Sequence, residues 1–187
     1  MRQPIPPKVS LGVAARARKI RVLLTDVDGV LTDGRVWLLS HRDGSASELK
    51  GFSAYDGAGL KIARTAGLRT GIITGRESAA VALRARECEI EFVYQGRAVK
   101  LDAYQEILRA TGASDGEVAY VGDDLPDLSI LRRVGLAVAV ANASPEVKHA
   151  AHYITARSGG EGAIREVIEL IVKAQGKWEE ATRNAKA

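Results

Sequence analysis

Short apolar runs alternate with helical patterns along most of the chain, and this alternation constrains the fold more than any other feature. Runs that predict buried strands fall at residues 21–26, 68–74, 90–94, 118–122, 136–140 and 153–154. Apolar residues at helical spacing lie between them, at 57–66, 77–86, 98–110, 127–134, 145–150 and 162–174. The alternation predicts an α/β fold: a Rossmann-like, doubly wound parallel sheet with helices on both faces.

One segment departs from this alternation. Apolar residues at 36–39 and a second run at 48–52 flank the pair Asp43-Gly44, which is typical of a β-hairpin turn. With 187 residues we expect one domain, over residues 19–176. The hairpin forms a flap at 34–52, a basic leader covers 1–18, and a polar tail covers 177–187. Only 45 residues separate Asp28 from Thr74, which leaves no room for a separate cap domain.

The charge distribution argues against a nucleic-acid partner. Six of the 27 basic residues precede the first acid, Asp26, so the rest of the chain carries 21 bases and 23 acids. A nucleic-acid-binding protein would spread basic charge over a folded face. The leader, with a helical pattern over about 8–19, is interpreted either as a solvated helix or as a basic arm that meets an acidic partner or subunit.

Composition excludes several other classes of protein. Apolar residues make up 46% of the chain, which is normal for a globular domain. The single cysteine, Cys88, excludes a disulfide framework and a metal–thiolate cluster. There is no apolar run of membrane-spanning length and no apolar signal core at the start. We therefore expect no membrane association and a cytoplasmic location.

Polar residues with a shared chemistry follow the predicted strands. In an open parallel sheet, ligands gather at the carboxyl ends of the strands. The residues expected at that edge are Asp26, Asp28, Thr74, Lys100, Asp123 and Asp124. Packed carboxylates repel one another unless a cation lies among them, and an all-oxygen set suits Mg²⁺. Mg²⁺ with a lysine, a threonine hydroxyl and exposed glycine amides suits a phosphoryl group.

Other ligand motifs do not fit. A calcium loop that began at Asp26 would need an acid or Asn at its fifth position and Glu at its twelfth, where this chain has Val30 and Trp37. The sequence contains no Gly-x-x-x-x-Gly-Lys-Ser/Thr loop for a nucleotide and no Gly-x-Ser-x-Gly elbow of an α/β-hydrolase.

The order of these motifs resembles the haloacid dehalogenase-like phosphatases. The motifs are Asp26-Val-Asp28-Gly-Val, Thr74-Gly-Arg, Lys100 and Gly122-Asp-Asp-x-x-Asp127. A response-regulator receiver also carries acids, a threonine and a lysine on such a sheet, but in a different arrangement. Within the superfamily, the sequence is similar to the family of capless 3-deoxy-D-manno-octulosonate (KDO) 8-phosphate phosphatases from about residue 18 to 176. The added stretches include Asp56-Gly-x-Gly59, Tyr94-Gln-Gly96 and Gly159-Gly-x-Gly-Ala-x-Arg-Glu166.

The resemblance implies a mechanism and a role for each motif. Asp26 would attack phosphorus to form an aspartyl-phosphate, while Asp28 would protonate the leaving oxygen and then activate water. Mg²⁺ would bind the Asp26 carboxylate, the Asp28 backbone carbonyl and Asp123. The phosphoryl oxygens would be held by Gly29, Thr74, Gly75 and Lys100. Asp124 and Asp127 would support the metal site and Lys100.

The resemblance also implies the substrate and its contacts. The reaction would release KDO from its 8-phosphate, in lipopolysaccharide precursor synthesis. The sugar acid would be contacted by Ser53, Tyr55, Asp56, Gly57, Lys61, Arg76 and Arg84. The substrate's acid group needs a cation, although Arg84 can equally be interpreted as part of a solvated helix face.

Two alternatives to this function stay open. Relatives carry Asn-x-Arg before Asp-Gly, where this chain has Ser53-Ala54-Tyr55. A nine-carbon sugar acid 9-phosphate (KDN or N-acetylneuraminate) is therefore an alternative substrate, although Asp56-Gly57 favours the eight-carbon acid. A non-catalytic subunit of a larger complex is the second alternative.

The apolar residues of the hairpin predict an oligomer. Val36, Trp37, Leu38 and Leu39 would form a sizeable apolar surface if they were exposed. We expect them to pack against a neighbouring subunit, and the alternative is that the hairpin packs on its own sheet. The resemblance implies a homotetramer whose subunits cover each other's sites.

Overall fold

A six-stranded parallel sheet forms the centre of the computed structural model, which describes residues 10–183. The strands of the chain are β1 (Val22–Thr25), β2 (Trp37–Ser40), β3 (Ala46–Leu49), β4 (Arg69–Ile73), β5 (Phe92–Tyr94), β6 (Val118–Gly122), β7 (Leu136–Ala139) and β8 (Tyr153–Ile154). The order across the sheet is β5-β4-β1-β6-β7-β8, and β2 and β3 form a separate hairpin. The predicted doubly wound α/β fold without a cap domain is confirmed. The sheet extends from β1 in both directions, through β4 and β5 on one side and through β6, β7 and β8 on the other.

Eight α-helices accompany the strands in the described part of the chain. They are α1 (Leu11–Ala17), α2 (Ala54–Thr65), α3 (Ala79–Glu87), α4 (Lys100–Thr111), α5 (Leu128–Leu131), α6 (Pro145–Ala150), α7 (Ala163–Ala174) and α8 (Trp178–Thr182). Helices α1, α2 and α8 each contact α7, while α4 and α6 each contact α5. These two groups flank the sheet.

The core follows from the apolar runs. Every residue of β1, β6 and β7 is buried, as expected for central parallel strands that are covered on both faces. Helix α7 buries one continuous stripe of side chains at helical spacing: Ile164, Val167, Ile168, Ile171 and Val172. Burial of this stripe against α1 and α2 holds that layer on the sheet.

Several elements differ from the sequence-based expectation, and two of these differences have a clear cause in the structure. Helix α2 begins at Ala54 instead of residue 57, because Ser53 caps it by accepting a hydrogen bond from the Tyr55 N–H at 3.2 Å. Part of the segment predicted as a polar tail forms a helix. Trp178–Thr182 form α8, in which Ala181 and Thr182 are buried and the Trp178 ring lies under Arg165 and Lys173.

The basic leader is described only from residue 10. Ser10 caps α1, and Val13 and Ala17 of that helix are buried against the core, while Arg18 and Lys19 stay exposed. Residues 1–9, which hold the rest of the predicted leader, lie outside the described part, as do residues 184–187. Within residues 10–183 no helix has the length and hydropathy needed to cross a membrane.

The predicted hairpin is confirmed. Trp37 pairs with Leu49 and Ser40 with Ala46, and the turn is closed by the Gly44 N–H donating to the His41 carbonyl at 3.1 Å. Its apolar side chains are exposed: Trp37 by 58%, Leu38 by 68% and Leu39 by 54%. The structure therefore excludes packing of these three side chains against the chain's own sheet.

Candidate active site

The carboxyl ends of three neighbouring strands bring the predicted residues together. β1 is hydrogen-bonded to β4 on one side and to β6 on the other, with Thr25 level with Ile72 and Val121. β1 ends at this level and β4 and β6 end one residue later, so Asp26, Thr74 and Asp123 follow at one edge of the sheet. This is the edge at which ligands bind in open α/β folds.

Lys100 joins two carboxylates at this edge. It opens α4 and is 4% exposed, and its Nζ lies 2.7 Å from Asp26 Oδ2 and 2.7 Å from Asp127 Oδ1. Burial acts to lower the pKa of Lys100, but the charges of Asp26 and Asp127 outweigh it and the pKa is raised. The lysine is therefore a fixed positive charge beside Asp26.

Asp127 is fully engaged in holding the site. Its Oδ1 also accepts the Tyr120 hydroxyl at 2.7 Å, and its Oδ2 accepts the backbone N–H groups of Asp123 at 2.9 Å and Asp124 at 3.2 Å. The residue is completely buried. Both oxygens thus have their donors, one of which is Lys100.

Asp123 has an oxygen with no partner. Asp123 Oδ1 is buried and finds no hydrogen-bond donor among the described residues. Burial, followed by the charges of Asp26 and Asp127, raises the pKa of Asp123 to about 7. Ligand oxygens of these three acids, named here the acid cluster, lie within 4.8 Å of one another. An all-oxygen set with one orphaned carboxylate oxygen fits a divalent cation such as Mg²⁺.

The carboxylate of Asp26 is aimed by its neighbours. Its Oδ1 accepts the Val27 N–H at 2.7 Å, and its Oδ2 pairs with Lys100. Burial raises the pKa of Asp26 to about 6, Lys100 opposes that rise and Asp127 adds to it. A cation among these acids would favour the ionised carboxylate, which is the form that can act as a nucleophile.

Glycine is required beside Asp123. Gly29 has φ +85°, and a Cβ there would lie 2.0 Å from Asp123 Oδ2. The loop is supported from behind by Asn142, whose Nδ2 donates to the Gly29 carbonyl at 3.2 Å and whose Oδ1 accepts the Gly159 N–H at 2.7 Å. A Cβ on Gly159 would lie 1.8 Å from the Gly29 carbonyl oxygen. Sequence reasoning missed Asn142, although its place after β7, at the same sheet edge, was a usable signal.

The flap supplies side chains that sequence reasoning also missed. Lys50 follows β3 and forms an ion pair with Asp28 Oδ1, and its side chain is fully covered. Arg76 Nε lies 3.6 Å from Asp28 Oδ2, while Arg76 Nη2 lies 2.7 Å from Glu48 Oε2. Asp28 is thus placed between two cations, of which only Arg76 was a predicted site residue.

The remaining predicted phosphate-binding and supporting residues differ in exposure. Thr74 is 3% exposed, and its backbone N–H donates to the Tyr94 carbonyl at 2.9 Å. Gly75 and Asp124 are exposed at the same edge of the sheet.

Three of the remaining predicted sugar contacts line a groove that includes no residue of the acid cluster. Lys61 and Arg84 line a groove of about 440 Å³ between α2 and α3 that also includes Gly57, and none of its lining residues belongs to the acid cluster. Arg84 Nη2 donates to the Ser53 carbonyl at 3.0 Å. Tyr55 is exposed beneath Arg157.

Asp56 is placed differently from the expectation. It is 2% exposed, and its Oδ1 accepts the Arg165 N–H at 2.8 Å in the first turn of α7. Burial raises the pKa of Asp56 to about 6, against the lowering effect of the backbone amides of α7. The structure brings this carboxyl group to a helix terminus and not to the acid cluster.

Comparisons with known proteins agree with this geometry. Residues 82–168 match the sequence profile of haloacid dehalogenase-like hydrolases, a stretch that contains Lys100, Asp123 and Asp127. The chain is 43% identical over 173 residues to 3-deoxy-D-manno-octulosonate 8-phosphate phosphatase KdsC of Escherichia coli strain K12, which covers 92% of this chain and 90% of that protein.

Solved structures extend the likeness to the fold. The 3-deoxy-D-manno-octulosonate 8-phosphate phosphatase of Yersinia pestis superposes with a TM-score of 0.87 at 43% identity, covering 91% of this chain and 90% of that one. The same enzyme from Moraxella catarrhalis, crystallised with magnesium, phosphate and KDO, gives a TM-score of 0.86 at 38% identity, covering 92% and 97%.

Proposed function

This chain belongs to the family of 3-deoxy-D-manno-octulosonate 8-phosphate phosphatases within the haloacid dehalogenase-like hydrolases, and on that premise we propose that it hydrolyses KDO 8-phosphate to KDO and phosphate. The product would enter lipopolysaccharide precursor synthesis. One observation carries the proposal: the Asp26 carboxylate is held by Lys100 beside Asp123, whose Oδ1 has no donor among the described residues.

In the first step Asp26 attacks phosphorus. An Asp26 oxygen forms the new bond to phosphorus, and the bond from phosphorus to the sugar oxygen breaks with its electron pair on that oxygen. Asp28 gives its proton to the departing oxygen, which becomes a hydroxyl group. Lys100, fixed between Asp26 and Asp127, and the backbone amides of Gly29 and Gly75 face the phosphoryl oxygens, with the Thr74 hydroxyl beside them.

In the second step the aspartyl-phosphate is hydrolysed. Asp28, now ionised, takes a proton from water as the water oxygen attacks phosphorus. The bond between phosphorus and Asp26 breaks, and the carboxylate is regenerated together with inorganic phosphate. The two protonation states of Asp28 are therefore used in turn, and the net change is the addition of one water molecule to the ester.

Residues at the sheet edge would hold Mg²⁺: the carboxylates of Asp26 and Asp123 and the backbone carbonyl of Asp28. When bound, the ion neutralises repulsion among the acid cluster and polarises the phosphoryl group. Asp127 keeps its four donors and supports Lys100, and Asp124 supports the metal site from its exposed position.

Recognition of the sugar acid is assigned to the cationic side chains near the flap. Arg76 is partly exposed beside Asp28, so it can meet the substrate's carboxylate. Lys61 and Arg84, with Ser53, Tyr55 and Gly57, complete the contacts, whereas the buried Asp56 takes no part in them. Their groove between α2 and α3 includes no residue of the acid cluster.

We extend the proposal to a homotetramer in the cytoplasm. The exposed apolar side chains of Trp37, Leu38 and Leu39 support a subunit interface, since a monomer rarely leaves such a patch in water. The single free thiol, Cys88, accords with a reducing compartment.

Phosphate release from KDO 8-phosphate tests the proposed function. The assay is run with and without Mg²⁺, beside N-acetylneuraminate 9-phosphate and with Asp26→Asn as the blank. We expect Mg²⁺-dependent release that prefers the eight-carbon ester and is absent in the blank. Equal, weak release from both esters would remove the sugar assignment, and no release by the folded, Mg²⁺-bound protein would overturn the phosphatase.

A further inference from the structure

The flap carries a group of four charges onto the candidate site. Lys50 pairs with Asp28 Oδ1, and its Nζ lies 3.7 Å from Glu48 Oε1. Arg76 reaches Glu48 at 2.7 Å and Asp28 at 3.6 Å. The Ser78 hydroxyl, followed by Arg76 and Lys50, lowers the pKa of Glu48. Two positive and two negative side chains thus bind the end of β3 to the loops after β1 and β4.

Complete covering of the Lys50 side chain is unusual for this hairpin. Its ammonium group loses solvation and its long side chain loses rotamer freedom, and both effects oppose the observed placement. Arg42, in the turn of the same hairpin, stays exposed. A lysine is stably covered only when it meets a carboxylate, and the nearer of the two carboxylates beside Lys50 belongs to Asp28.

The two Asp28 oxygens have different surroundings. Oδ1 is occupied by Lys50, whereas Oδ2 is 3.6 Å from Arg76 Nε, beyond hydrogen-bond distance. The Asp28 side chain is 22% exposed, so Oδ2 can reach a ligand. An ion pair at Oδ1 fixes the rotation of the carboxyl group and leaves Oδ2 to carry the transferred proton.

We propose that Lys50 is a positioning residue that orients Asp28 for proton transfer, and that Glu48 and Arg76 anchor the flap strand that carries it. The inference rests on the proposed function, because it requires Asp28 to be the acid and base of phosphate-ester hydrolysis. Lys50 acts through Asp28. Its removal should therefore slow the first step most for a substrate whose leaving group needs a proton from Asp28.

Two substrates can distinguish a role of Lys50 in positioning Asp28 from a general role in supporting the site. KDO 8-phosphate has an alkoxide leaving group that needs a proton, whereas p-nitrophenyl phosphate has a leaving group that departs without one. In a single turnover that follows only the first step, we expect Lys50→Met to slow the release of KDO by about 10–100-fold and the release of p-nitrophenol by less than about threefold, because the second step uses Asp28 with either substrate. Lys50→Arg keeps the charge and should recover part of the loss. Arg42→Met is the matched control, a cation removed from the same hairpin, and should match the parent.

A double-variant cycle with Asp28→Asn completes the test. If Lys50 acts through Asp28, Lys50→Met should change kcat by less than about twofold once Asp28 is Asn. Full additivity, equal losses on both substrates, or no loss in Lys50→Met would each overturn the inference. If Lys50→Met does not fold, the same comparison is made with Lys50→Gln and Lys50→Arg. Failure of Asp28→Asn itself to impair KDO 8-phosphate hydrolysis would instead overturn the proposed function.

Discussion

At the residue scale, the candidate site is a set of charges that the protein alone does not balance. Lys100 pairs with two of the three clustered carboxylates, those of Asp26 and Asp127, and the pKa values of Asp26 and Asp123 are raised to about 6 and about 7. Burying these carboxylates close together destabilises the metal-free fold, and the same arrangement favours binding of a cation. Both the stability of the metal-free protein and its response to Mg²⁺ should reveal this.

Asp123→Asn should stabilise the metal-free protein at neutral pH. Because burial raises the pKa of Asp123 to about 7 in the fold, the unfolded chain releases this proton first, and the stability of the parent falls as pH rises from about 4 to about 7. The variant lacks this loss, so its melting temperature should exceed the parent's by about 2–6 °C at pH 8 and by less at pH 5. Differential scanning fluorimetry in a chelator measures both.

The same variant should lose its response to metal. Mg²⁺ should raise the melting temperature of the parent and leave Asp123→Asn unchanged, since a ligand stabilises only a fold that binds it. Asp102→Asn, an exposed acid in the first turn of α4, is the control and should behave as the parent. A Mg²⁺ shift of equal size in Asp123→Asn would contradict the assignment of this ligand.

Alanine substitutions at two glycines with the same backbone conformation can distinguish damage to the site from backbone strain alone. Gly29 has φ +85° and Gly44 has φ +84°, so alanine at either position destabilises the fold by about 1 kcal/mol. Only at Gly29 does the new Cβ meet Asp123; nothing lies within 4 Å of it at Gly44. Gly29→Ala should lower kcat/KM by more than about 100-fold and Gly44→Ala by less than about twofold. Similar losses in both variants would show that strain alone was responsible.

The sequence predicted the residues that depend on strand ends, and it missed those that depend on contacts across the fold. Asp26, Thr74 and Asp123 follow buried strands, and Lys100 begins the helix after β5, so the topology places them together. Lys50 lies on the hairpin, 22 residues from Asp28, and no periodicity indicates where a hairpin folds back. Asp56 stands within a motif, yet its carboxyl group is buried at the start of α7.

At the scale of elements, α2 and α7 pack closely and share one buried charge. Gly59 of α2 permits this approach, because a Cβ there would lie 3.1 Å from Arg165 Cα. Asp56 lies one turn before it and accepts the Arg165 N–H at the start of α7. The carboxylate thus accepts a hydrogen bond from a free amide at a helix N-terminus, which is favourable, but its removal from water is unfavourable.

Asp56→Asn should remove a pH dependence of stability. Burial raises the pKa of Asp56 to about 6, so this group's contribution to the free energy of unfolding falls as pH rises from about 4 to about 6 and is constant above that. Asn keeps the Oδ1 acceptor without the charge. The parent should lose about 2 kcal/mol relative to Asp56→Asn over this range, measured by urea unfolding at each pH. A constant difference from pH 4 to 8 would contradict the buried carboxylate.

The length of an element did not decide how well its bounds were predicted. β6, α6 and β8 have the expected bounds, and α4 ends where Gly112 adopts the left-handed conformation. The start of α2 was missed because Ser53 is a cap that precedes the first periodic residue. α8 was missed because its packing depends on Trp178 contacting α7, which composition does not reveal.

At the scale of the whole molecule, the sheet edge without a cap domain and the exposed apolar flap can be explained by one arrangement, in which a second copy of the chain covers both. The first strand of the flap leaves Trp37, Leu38 and Leu39 exposed, while Glu48 and Lys50, on and after its second strand, are bound to the chain's own site. A second copy that covers these exposed side chains would shield both the patch and the site from water.

Light scattering should therefore give a mass of about 80 kDa, four times the 20.0 kDa of one chain. Replacing Trp37 and Leu39 by Ser should dissociate the assembly, because it removes two large apolar contacts. Replacing the exposed Leu83 of α3, outside the flap, is the control and should leave the mass unchanged. A parent mass of about 20 kDa would refute the oligomer.

The central claim is that the phosphoryl group passes through Asp26. Asp28→Asn removes the base of the second step, while p-nitrophenyl phosphate needs no acid in the first, so the covalent intermediate should accumulate in this variant. The measurement is rapid acid quench with Mg²⁺ present, followed by peptide mass spectrometry. We predict one phosphoryl group on Asp26 in Asp28→Asn and none in the Asp26→Asn, Asp28→Asn double variant. Release of p-nitrophenol with Asp26 unmodified, or a phosphoryl group on another residue, would contradict the account.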